Sequence, residues 1–172
     1  MPDPDSKTQQ QLSQRYRLTS LIVVALGISS AVCMILGKIV SGAMAGRRQE
    51  AESIGFSIYL LAAVASVLAI LFRRVMLSGG MIRKVALSGA SAVIGRLSMT
   101  SVIGAALGEL IGILSLLGSV LTGDAAFSWR LGIVSLAVIA YCFPRRQEWI
   151  KFTAGVLQPI QSGQVPDRSA SK

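Results

Sequence analysis

Histidine is missing from this 172-residue chain altogether, and cysteine occurs only twice, as Cys33 and Cys142, each within or beside an apolar run. Without imidazole the commonest metal ligand and the commonest general base are gone. Zinc chemistry and Ser-His or Cys-His catalysis therefore have almost no residues to work with, and no enzyme, metal or cofactor is expected. Two isolated thiols suggest no disulfide framework. Charge is scarce as well, at 15% of residues, where a soluble domain carries about 25%. Acidic groups are the scarcer sign, with 8 Asp and Glu against 17 Lys and Arg, a net charge of +9. In a soluble protein that excess would raise the question of nucleic acid. The aromatic-plus-basic surface such binding wants is absent, since aromatics make up 6% of the chain, and nucleic acid is not an expected partner.

What is abundant is apolar sequence. Hydrophobic residues are 52% of the chain, mean hydropathy is +0.62, and the apolar residues cluster into long runs. This pattern predicts an all-α, polytopic membrane protein with four transmembrane helices, at about 18–40, 54–72, 97–121 and 127–143. Residues 1–17 read as a polar, mobile N-terminal tail. The run at 18–40 is far longer than the 7 to 15 apolar residues, roughly, of a cleaved signal peptide, and predicts a retained first span. Residues 73–96 form a basic loop that cannot comfortably cross a bilayer; its second half reads as an interfacial helix or an extension of the third span. Residues 144–172 read as a basic juxtamembrane segment followed by a disordered tail. Trp129, Tyr141 and Trp149 are expected as interfacial anchors.

The basic residues lie between the runs, where anionic headgroups are sufficient partners. With an even number of spans, Lys7, Arg15, Arg17, Arg73, Arg74, Arg83, Lys84, Arg96, Arg145, Arg146, Lys151, Arg168 and Lys172 share one face. Only Lys38, Arg47, Arg48 and Arg130 take the other, so 13 basic residues stand against 4. The positive-inside rule makes the richer face cytoplasmic and places both termini there, in what is expected to be a plasma membrane.

The third run, LSMTSVIGAALGELIGILSLLGSVL, is interrupted by one charge, Glu109, twelve residues from either end and so near the bilayer midplane. An acidic group there costs about 2.5 to 3.5 kcal/mol on insertion scales and normally faces protein, a cavity or a partner. At 3.6 residues per turn, Ser101, Gly104, Gly108, Gly112, Ser115 and Ser119 fall on one stripe of small residues, the glycines in successive GxxxG spacing, which suits close helix packing. Two roles follow for Glu109. It either stays protonated and hydrogen-bonds to another helix, with Ser29, Ser30, Tyr59, Ser66 and Ser135 as candidate partners, or it binds and releases a proton or cation. The first role predicts a helix-packing or assembly component that self-associates or joins other membrane subunits; the second predicts an ion-binding or translocating one.

The segment AALGELIGILSLL, set in two apolar helices at 97–143 with a glycine stripe and a single midmembrane carboxylate, resembles the proteolipid subunit c of rotary ATP synthases. That resemblance implies a proton-binding role for Glu109 in a ring of copies. The chain also resembles small bacterial membrane proteins of unassigned role.

Overall fold

In the computed structural model, residues 4–43, 51–78, 80, 85, 89–147 and 149–150 are described. They form four long helices: α1, Pro4–Ala43; α2, Ala51–Met76; α3, Ala90–Thr122; and α4, Ala125–Cys142. There is no strand among the described residues. All four helices are long and apolar enough to cross a membrane. The all-α, four-span architecture read from the apolar runs is the one observed.

Two hinge residues make the α3–α4 hairpin tight. Gly123 adopts a left-handed conformation (φ 65°) and donates its amide to the Ser119 carbonyl at 3.0 Å, closing α3. Asp124 then accepts the Ala126 amide at 2.9 Å as the N-cap of α4. At its other end α3 starts after Gly89, whose φ of 100° favours glycine.

α3 is the central element and packs against each of the other three. α1 lies along one flank of the α3–α4 hairpin and α2 along the other, so α1 and α2 scarcely touch. Side-chain pairs fix the directions. Thr19 meets Ser98 and Gly37 meets Ser119, so α1 and α3 run parallel. Gly55 meets Phe127 while Arg73 stacks over Tyr141, so α2 and α4 run parallel to each other and opposite to the first pair.

Length decides what lies outside the bilayer. At 1.5 Å per residue α4 is about 27 Å long, close to the thickness of a hydrocarbon core of about 30 Å, whereas α1, with 40 residues, reaches about 60 Å. Most of the surplus of α1 and α3 projects at one end, before Thr19 and Ser98. There Leu12, Tyr16, Leu77, Val85, Val93, Ile94 and Leu97 close around Trp149, which is 2% exposed and meets Tyr16 edge-on at 5.7 Å between ring centres.

This end corrects several sequence expectations. Residues 4–17 are helical, continuing α1 rather than forming a mobile tail, because Leu12 and Tyr16 have an apolar cluster to join. Trp149 is a core residue rather than an interfacial anchor. Trp129 and Tyr141, at 58% and 45% exposure, do face outward. The start of the third span reaches back to Ala90, matching the expected extension for that part of the basic loop. Most of 79–88, the connection at 44–50 and the tail at 151–172 lie outside the described residues.

Candidate intramembrane site

The stripe of small residues on α3 is buried, and its contacts lie within the chain. An added Cβ at Gly104 would meet the Cys142 side chain, and one at Gly108 would stand 3.3 Å from the Ile139 amide nitrogen and 3.4 Å from the Ser135 carbonyl oxygen. One at Gly112 would press on Ser30 of α1 and Ser135 of α4 together. Backbone atoms are among these neighbours, so a side chain at Gly108 cannot be accommodated by a rotamer change alone. Ser115 and Ser119 are fully buried further along the stripe, and Ser101, half-buried, lies where the helix leaves the hairpin.

Hydroxyl groups occupy the spaces that these glycines open. Ser135 Oγ donates to the Gly108 carbonyl at 2.6 Å and is bonded in turn to Ser30 Oγ, which joins α1, α3 and α4 in one buried network. Since Ser135 has a single hydroxyl proton and spends it on Gly108, Ser30 supplies the proton of the second bond. Towards the hairpin turn, Ser119 and Ser128 lie 3.0 Å apart with Gly37 of α1 against both. Towards the basic end, Thr19 and Ser98 are 2.6 Å apart. Lipid offers no water to unsatisfied polar groups, so the hydroxyls at hydrocarbon depth must find their partners inside the bundle.

Glu109 stands beside this network without entering it. It lies on the edge of α3 that faces α1, half-buried, with Cys33 as its electrostatic neighbour. Among the described residues it has no hydrogen-bond or ion-pair partner. Of the five candidates, Ser30 and Ser135 are committed to each other and to Gly108, and Ser66 donates to the Ala62 carbonyl at 2.8 Å. Tyr59 belongs to the opposite flank, beside Phe127 at 4.4 Å between ring centres, with Arg130 as its electrostatic neighbour. Ser29 lies half-buried on α1.

Along α3, Glu109 lies eight residues from Ser101, which lines a cleft with Arg73, Thr100, Pro144 and Arg145, and thirteen from Thr122, the last residue of the helix.

Sequence reasoning found the stripe and the carboxylate but missed the Ser30–Ser135–Gly108 network. The signal was present in Ser30 on α1 and Ser135 on α4, but it takes the helix registers to bring them together. No group of three or more His, Cys, Asp or Glu able to hold a metal ion occurs among the described residues. No family model, curated protein or solved structure matches this chain.

Proposed function

We propose that this chain is an assembly component of a bacterial plasma membrane: a prefolded four-helix unit with both termini in the cytoplasm, joining copies of itself or other membrane subunits. The observation that carries the reading is Glu109, a half-buried intramembrane carboxyl with no partner of its own among the described residues. Such a group costs about 2.5 to 3.5 kcal/mol in hydrocarbon, and a neighbouring subunit that brings a donor to the α1–α3 edge removes that cost. The glycine stripe, occupied within the chain, supports the fold of the unit, and the docking role passes to Glu109. The orientation is supported by the gathering of Arg15, Arg17, Arg73, Arg74, Arg96, Arg145 and Arg146 at one end of the bundle, against Lys38 and Arg130 among described side chains at the other. The proposal assigns no reaction and no cofactor.

The test is native mass measurement and crosslinking of the purified protein in mild detergent. Glu109→Gln, which keeps a hydrogen-bonding group, should leave the assembly intact. Glu109→Leu should weaken it by about threefold to fifteenfold, the range for one intramembrane hydrogen bond. A monomer at all concentrations, unchanged by either substitution, would sink the reading.

A second reading is favoured by the same half-exposed edge: Glu109 binds and releases a proton or cation, as the proteolipid resemblance implies. Under it Glu109→Gln abolishes function, and a carbodiimide labels Glu109 in a pH-dependent way. Absence of labelling at every pH would rule it out.

A further inference from the structure

At the basic end, α2, α3 and the segment after α4 enclose a small open cleft lined by Arg73, Leu77, Leu97, Thr100, Ser101, Pro144, Arg145 and Trp149. We propose that this cleft is a built site for the phosphate of an anionic membrane lipid. Depth is the first argument. Arg73 directly follows the apolar run of α2, Arg145 follows the end of α4 at Cys142, and Ser101 and Thr100 lie at that level on α3. All three elements pass from apolar to charged sequence there, so the cleft opens where hydrocarbon gives way to headgroups.

Chemistry is the second. Two guanidinium groups on different elements flank the cleft, and Arg pairs with phosphate through parallel, charge-assisted N–H donors. Arg73 is held over the Tyr141 ring at 4.7 Å, which fixes one side of the cleft while Trp149, itself fully packed, backs the other. Leu77 and Leu97 lie on the outer side of this level, in the apolar cluster around Trp149 that closes the cleft away from the bilayer. The depth, at which lipid phosphates lie, favours a lipid phosphate over a free one.

The proposal rests on the helices spanning a membrane, and its test keeps the two apart. The full-length protein is reconstituted in phosphatidylcholine nanodiscs containing a minor fraction of phosphatidylglycerol, and retained lipid is read by native mass measurement. Wild type should retain phosphatidylglycerol over phosphatidylcholine. Arg73→Gln with Arg145→Gln should lower that retention about tenfold or more, as expected for losing charge-assisted hydrogen bonds from two groups. The matched pair Arg74→Gln with Arg146→Gln removes the same charge from exposed neighbours outside the cleft and should lower it less than about twofold. Arg145→Gln alone, at an exposed side chain, should lower retention without loss of thermal stability, which covers the case of a misfolded double variant. Equal losses in both double variants would show diffuse attraction and overturn the site. Competition of phosphatidylglycerol by millimolar inorganic phosphate would overturn the lipid assignment. Failure to incorporate into nanodiscs would instead overturn the membrane reading.

Discussion

The two flanks of the α3–α4 hairpin are packed by different means. On the α1 flank the contacts are small and polar: Thr19 with Ser98, Ser30 with Ser135 and the Gly108 carbonyl, and Gly37 against Ser119 and Ser128. On the α2 flank they are apolar: Ile58, Ala62, Ala65 and Ala69 meet Ile111, Phe127 and Leu131, with Leu107 and Leu114 at the margin. In water both flanks would be driven by burial of apolar surface. In lipid that drive vanishes, because acyl chains are as apolar as leucine, and what remains is close packing and hydrogen bonding. The α1 flank uses both, through glycine contacts and hydroxyl pairs. The α2 flank uses mainly close packing, with alanine every three or four residues bringing one helix near the hairpin.

The largest effect is expected where close packing involves backbone. Gly108 sits against the Ile139 amide and the Ser135 carbonyl, so Gly108→Ala should destabilise the protein by about 1 to 3 kcal/mol through overpacking. Gly108→Leu should separate α3 from α4 and abolish the folded monomer in detergent titrations of helicity and thermal stability. Were Gly108→Leu to remain folded but fail to associate, the stripe would be an external docking face, and the contrast between the flanks would be wrong.

A smaller effect tests the hydroxyl network. Ser135→Ala removes the bond to Gly108 and the acceptor of Ser30, and should cost about 0.6 to 1.7 kcal/mol, from the average to the upper limit for an intramembrane hydrogen bond. Ser30→Ala should cost less, since Ser135 keeps its bond to the Gly108 carbonyl. The double variant should cost less than the two singles together, because both act on one network. Strict additivity would mean that the two hydroxyls do not communicate, and the α1 flank would then be held by glycine contacts alone.

The membrane spans were legible in sequence because hydrocarbon thickness imposes a minimum apolar length, and 54–72 and 127–143 lie within α2 and close to α4 on that ground alone. The stripe on α3 was legible because 3.6-residue periodicity is a local property. Its partner was not: nothing local states that Gly112 meets Ser30 from 82 residues earlier. The same gap explains Trp149 and the N-terminal segment. A tryptophan next to basic residues reads as an anchor, and Gln-rich sequence reads as a tail. Both readings fail because Leu12, Tyr16, Val93 and Ile94 converge outside the hydrocarbon into a second apolar cluster. Glu109 was identifiable from its charge, but its position at the rim of the α1 flank depends on the helix registers.

The smallest expected effect sharpens the comparison from inside the α1 flank. Gly27 lies on the same helix as Gly37, yet an added Cβ there would meet only the Ile139 side chain, at an ordinary 3.7 Å. At Gly37 the same atom would collide with Ser128. If glycine on this flank is required only where two backbones or hydroxyls close in, Gly27→Ala should be neutral or stabilising by up to about 1 kcal/mol, through the gain in helix propensity. Gly37→Ala should be destabilising. Thermal unfolding of the two variants in one detergent reads the difference directly. Comparable losses at both positions would mean that α1 needs small residues along its whole length rather than at the hydroxyl-bearing contacts.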